Sequence, residues 1–193
     1  MKTLLLYTLF CSVLCLAPAA EAQIIYDENC MVNAELRCPA PDGNHELVYR
    51  GLRHKEQNSI SIVHEIILIN RDGQKITIKE TTNTGSIYRR NIISQPWSAD
   101  GKWLVFPISQ WTYCLCPTDN LNKQGMTDKS IPLEVKEERT YALEGGQWES
   151  DGTFTFRAGL SGWLAPYRAT VTPNGVHCQQ TGPFVKVYPK RPE

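Results

Sequence analysis

The residues best placed to do chemistry are sulfurs. Cys114 and Cys116 stand one residue apart, and His177 adjoins Cys178. Together they make a conceivable Cys3His metal set. Zinc sites usually leave two to four residues between paired cysteines, so that both sulfurs can turn to one ion. Neighbours such as His177 and Cys178 also point to opposite faces of a strand. Thiol redox catalysis prefers Cys-x-x-Cys, a spacing this chain lacks. The histidines, His45, His54, His64 and His177, fall in no metal-binding frame. Gly159-Leu160-Ser161-Gly162 misses the nucleophile frame Gly-x-Ser-x-Gly by one position and reads as a turn. Glu134, Glu137 and Glu138 sit in a charged stretch that reads as a solvated strand or loop. Glycosidase chemistry needs two carboxylates facing each other at a defined separation. There is no glycine-rich phosphate loop. The expectation is therefore no catalytic residue, no metal and no cofactor.

The N-terminus decides what the sulfurs do instead. Lys2 precedes an apolar run, Leu4 to Leu16, too short for a stable membrane anchor. Ala20-Glu21-Ala22 then presents small residues at the two positions a signal peptidase reads. Residues 1–22 read as a signal peptide and residues 23–193 as one all-β domain, exported to the periplasm or the extracellular space. In that oxidising setting Cys30, Cys38, Cys114, Cys116 and Cys178 are disulfide candidates. Cys30 and Cys38 would close a small N-terminal loop, and Cys114 or Cys116 would reach Cys178. An odd number leaves one thiol over. The formal net charge is zero, which gives no sustained field for a phosphate backbone, so nucleic acid is not an expected partner. No later segment is apolar enough to span a bilayer, so no stable membrane insertion is expected.

Binding chemistry points to aromatic residues. Trp97, Trp103, Trp111, Trp148 and Trp163 all lie in the middle and C-terminal parts of the chain. Indole rings stack on sugars and fill partner pockets. Trp97 and Trp148 each precede an Asp-Gly pair at fixed spacing and read as turn-packing residues. Trp111, Trp163, Tyr113 and Tyr167 are the candidate binding residues. Trp163, between Gly162 and Pro166 in an expected loop, is the aromatic most expected to be exposed.

These residues must be positioned by strands and turns. Asp42-Gly43, Asp72-Gly73, Asp100-Gly101, Gln124-Gly125, Asp151-Gly152 and Asn174-Gly175 recur at a nearly regular beat. Such pairs favour hairpins because glycine adopts positive φ without steric penalty. Ser59–Ile62, Ile66–Ile69, Lys75–Lys79, Thr153–Arg157 and Tyr167–Thr172 are branched or aromatic, most with period two, and read as strands. Ile62, Ile66 and Ile69 also keep a helical spacing, so His54–Ile69 is compatible with a helix. The 12 prolines and 13 glycines argue against long helices. The fold class is all-β: a hairpin-rich antiparallel sandwich, a barrel or a small propeller-like domain, held by disulfides.

One internal echo stands out. Trp97-Ser98-Ala99-Asp100-Gly101 and Trp148-Glu149-Ser150-Asp151-Gly152 share a Trp-x-x-Asp-Gly frame, each leading into an aromatic strand. The stretch from Trp97 to Phe106 resembles the blade motif of TolB-type β-propellers, with a weaker likeness from Trp148 to Phe156. The resemblance implies that Asp100-Gly101 is a hairpin turn and Trp103–Phe106 a blade strand. It also implies a protein-interaction role in the cell envelope. The functional expectation is an exported, non-enzymatic β protein binding a protein or glycan of the envelope or extracellular space. The alternatives are a carbohydrate-binding module or β-scaffold glycosidase, and an inhibitor of a secreted enzyme.

Overall fold

Two apolar runs organise the molecule. Trp103-Leu104-Val105-Phe106 and Tyr113-Cys114-Leu115-Cys116 are apolar at consecutive positions instead of alternating. A strand of that kind must be covered on both faces. In the computed structural model, which describes residues 30–80, 87–121, 130–135, 142–160, 162–172 and 175–187, these runs form the middle layer.

The described elements are all strands, apart from two single-turn 3-10 segments, Arg89–Asn91 and Thr118–Asn120. The first sheet holds β1 (Met31–Pro39), β2 (His45–His54), β3 (Ile62–Asn70) and β4 (Lys75–Glu80) in that order, with β5 (Ile87–Tyr88) also on β3. The middle sheet is β6 (Trp103–Ser109), β7 (Thr112–Pro117) and β8 (Ile131–Pro132). The third runs β12 (Gly175–Gln180), β11 (Trp163–Thr172), β10 (Phe154–Leu160), β9 (Ala142–Trp148), with β13 (Val185–Lys186) on β11. All pairings are antiparallel. Among the described residues no sheet is closed, which corrects the barrel alternative for that part of the chain.

Two cores meet at the middle sheet. Leu104, Phe106, Cys114 and Cys116 pack with Leu47, Tyr49, Val63, Ile66 and Leu68 of the first sheet. Val105, Tyr113 and Leu115, on the opposite face, pack with Phe154, Phe156, Ala165 and Tyr167 of the third. The period-two alternation of a strand thus splits one apolar run between two cores.

That split explains a correction. None of Cys30, Cys38, Cys114, Cys116 and Cys178 is in a disulfide. Cys30 immediately precedes β1 and Cys38 is its next-to-last residue, so an extended strand stands where the sequence reading placed a loop. Eight residues of strand separate their Cα atoms by roughly 25 Å, whereas a disulfide needs about 7 Å or less. Cys114 and Cys116 face the first core, while Cys178 packs against the second. The middle sheet therefore stands between them, which separates the expected disulfide partners and disperses the Cys3His set.

The remaining differences are local. His54–Ile69 is no helix: β3 starts at Ile62, and Ser59–Ser61 lie before it. Trp163 opens β11 instead of sitting in a loop. The signal peptide, Gln23, Gln124-Gly125, Glu137, Glu138, Ser161 and Asn174 lie outside the described residues.

Candidate functional site

The four exposed large hydrophobic residues among those described are Trp111, Trp163, Phe184 and Val185. Backbone pairing brings them to one end of the stack. Trp111 sits at the tip of the β6–β7 hairpin, and the carbonyl of the preceding Gln110 accepts a 3.0 Å hydrogen bond from the Leu143 N–H at the start of β9. From there Ala142 pairs with Gly159, Gly159 with Leu164, and Leu164 with Val185. Trp163 pairs with Lys186 at the β10–β11 tip. About half of each residue is exposed to solvent (Trp111 47%, Trp163 50%). Cross-strand partners share a face, so Val185 and Trp163 stand on opposite faces at this one end; exposed large apolar side chains at one end of a stack are a usual mark of a contact surface.

The other two candidate aromatics are core. Tyr113 and Tyr167 are buried. Phe156 lies between their rings, at centroid distances of 6.2 and 5.7 Å, and Phe154 and Trp148 extend the row at 6.1 and 5.4 Å. Aromatic packing claims their faces, so neither presents a binding surface. The Tyr167 hydroxyl reaches Gln180 Oε1 at 3.3 Å. Phe184 and Val185, by contrast, were missed; an apolar pair in the short C-terminal stretch has no periodicity to mark it.

Both Trp-x-x-Asp-Gly frames build similar turns. The Gly101 N–H donates to the Ser98 carbonyl at 2.9 Å, and the Gly152 N–H to the Glu149 carbonyl at 3.0 Å. Asp100 Oδ1 accepts from the Lys102 N–H at 3.1 Å, and Asp151 Oδ1 from the Thr153 N–H at 3.0 Å. The Ser98 hydroxyl, donating to Asp100 at 2.7 Å, and the Thr153 hydroxyl, donating to Asp151 at 2.6 Å, do most to hold both carboxyls below the usual carboxylate range, and the backbone N–H bonds add to this. Gly73, Gly101, Gly152 and Gly175 all have positive φ, and Asp72-Gly73 connects β3 to β4. The two indoles are tied down as well. Trp97 Nε1 donates to the Cys38 carbonyl at 2.8 Å and Trp148 Nε1 to the Pro96 carbonyl at 3.0 Å.

Two hollows lie along β1. One, of about 510 Å3, is lined by Ala34, Leu36, Ile60 and Ile92 with Arg53 and Arg89. The second, of about 370 Å3, is lined by Arg37, Pro39, Pro41, Pro96, Trp97 and Trp148. Elsewhere Glu144 lies between Arg90 (3.9 Å) and Arg157 (3.6 Å), a charge arrangement with no local sequence signal. Burial pushes the Cys38, Cys114 and Cys178 thiols up to about 11 and raises Cys116 as well. A neutral thiol is a poor nucleophile and a poor metal ligand. Among the described residues no His, Cys, Asp or Glu cluster converges as a metal site, and no helix is long and apolar enough to cross a membrane. No family model, curated protein or solved structure matches this chain.

Proposed function

We propose that this chain is exported and binds another protein of the envelope or extracellular space through the end that carries Trp111, Trp163, Phe184 and Val185. The observation that supports this reading is that exposed large hydrophobics are confined to that one end among the described residues. Phe184 and Val185 favour a protein over a glycan. Sugars stack on aromatic faces but need flanking polar groups, whereas an aliphatic neighbour suits an apolar partner side chain. A protein-interaction role is also what the resemblance of Trp97–Phe106 to the propeller blade motif implies.

The test is site-specific photo-crosslinking in the producing cell. A photoreactive residue at position 184 should give one discrete protein adduct, and the same residue at position 55 should give none. Trp163→Ala should remove the adduct. If soluble polysaccharide instead quenches the tryptophan fluorescence, and Trp163→Ala abolishes the quenching, the carbohydrate-binding reading replaces this one.

A further inference from the structure

Among the described residues no strand pairs with the outer edge of β1, and the polarity of that edge follows residue by residue. The Ala40 N–H donates to the His45 carbonyl at 2.8 Å, and the Lys55 N–H to the Cys30 carbonyl at 2.9 Å. Both bonds fall on the single register that pairs Met31 with His54 through to Pro39 with Glu46. Bonded and non-bonded pairs alternate in an antiparallel ladder. The even-numbered residues of β1 therefore direct their backbone groups to β2. Asn33, Glu35, Arg37 and Pro39 direct theirs outward, where no described strand meets them. The side chains of Ala34, Leu36 and Cys38 turn inward to the first core, and those of Glu35 and Arg37 turn to solvent.

We propose that a second copy of this chain covers this edge, with β1 pairing antiparallel to β1 about a two-fold axis through Leu36. This register sets Glu35 opposite Arg37 of the other copy, and Arg37 opposite its Glu35. The two residues exchange N–H···O=C bonds along the backbone, while their side chains pair opposite charges on the solvent face. Asn33 then donates to the carbonyl of Pro39, which itself has no N–H to offer. Leu36 meets its own copy at a non-bonded position, where side chains approach most closely. Centring the axis on Glu35 or on Arg37 instead sets like charges directly opposite, which is unfavourable. The edge is thus self-complementary in one register, as an isologous interface requires. The charges already run in alternating order across this face: Arg37 contacts Glu46 at 2.7 Å and Glu35 at 3.0 Å, and Arg50 contacts Glu35 at 2.7 Å and Glu65 at 3.3 Å. A second copy would continue that row.

The experiment is analytical ultracentrifugation of the full chain across a concentration series, with reductant present so that thiols cannot link copies. The wild type should sediment as a monomer–dimer equilibrium. Arg37→Glu and Glu35→Arg each make the pairing like-charged and should weaken the dimer by about tenfold or more. Mixing these two variants sets an acidic edge against a basic one and should restore association, as should the double swap E35R/R37E in one chain. Asn33→Pro removes an outward N–H without touching the bonds to β2, and should also weaken the dimer. A wild type that stays monomeric throughout would overturn the proposal, because the charges and Pro39 would then protect the edge from pairing. So would single swaps that associate as tightly as the wild type.

Discussion

The indole of Trp97 donates a 2.8 Å hydrogen bond to the backbone carbonyl of Cys38, joining the Asp100-Gly101 turn to the end of β1 from the inner side of the first sheet. The ring is buried, and His45 stands beside it at 6.3 Å. One residue therefore links three parts: its side chain joins the edge strand and the first core, and its backbone bridges Leu104 of the middle sheet.

Trp97→Phe keeps most of the buried ring and removes the donor. The expected loss is about 1–2 kcal/mol of unfolding free energy, combining one buried hydrogen bond with a small loss of packing. Urea titration followed by circular dichroism measures it. A variant as stable as the wild type would show that the bond contributes nothing to anchoring β1.

The thiols give a second expectation. Cys38, Cys114 and Cys178 stay protonated to about pH 11 in the folded protein, against an ordinary value of 9.0, mainly because they are buried. The folded state then binds more protons than the unfolded chain between those values. Stability contributed this way is complete below pH 9 and is lost as pH rises toward 11. The urea midpoint should fall across that window, and more shallowly in Cys38→Ala/Cys178→Ala. At pH 8, without reductant, a thiol reagent should modify Cys30, which is exposed, in the folded protein. All five cysteines from Cys30 onward should react once the chain is unfolded. A shortfall in that unfolded count would reveal a disulfide.

Gly159 shows how closely backbones approach in the third sheet. A Cβ there would collide with the carbonyl oxygen of Trp163. Backbone cannot yield as the tip of a side chain can, so Gly159→Ala should cost about 3 kcal/mol or more. The change lies between the Trp111 and Trp163 tips, so thermal unfolding should drop and tryptophan emission should shift together. An unchanged melting temperature would mean that the β10–β11 hairpin adjusts freely.

Much of the fold could be read directly because it rests on local chemistry. Asp-Gly pairs and branched residues in alternation describe β3, β4, β10 and β11 from a few neighbouring residues each. The harder features depend on distant partners. The helical spacing of Ile62, Ile66 and Ile69 does not mark the core face of β3, because the strand carries a bulge: Gly51 pairs with Val63 and Arg50 with Glu65, which leaves His64 as the extra residue. The core positions then run Val63, Ile66, Leu68, a break in alternation that only the partner strand explains. The disulfides were misjudged for a similar reason. Same-face placement of Cys114 and Cys116 follows from period two, but which core that face meets depends on the stacking of three sheets. Among the binding candidates, Trp111 and Trp163 stand at hairpin tips, whereas Tyr113 and Tyr167 lie inside strands covered by a neighbouring layer. An aromatic residue looks the same in the sequence in either place.

Tyr113 supplies the final test, because its ring and its hydroxyl act in opposite directions. The ring is fully buried in the second core, while its hydroxyl oxygen has no hydrogen-bond partner among the described residues. Burial and the nearby Glu144 carboxylate hold the phenol well above its ordinary range, so it stays neutral. An unsatisfied buried hydroxyl is destabilising relative to a hydrogen at the same site. Tyr113→Phe should therefore leave stability unchanged or raise it by up to about 1 kcal/mol, whereas Tyr113→Ala should lose about 3–5 kcal/mol through the cavity. Denaturant midpoints of the two variants separate these effects. A Phe variant weaker by more than about 1 kcal/mol would mean that the hydroxyl does useful bonding in solution, with an ordered water as its natural partner.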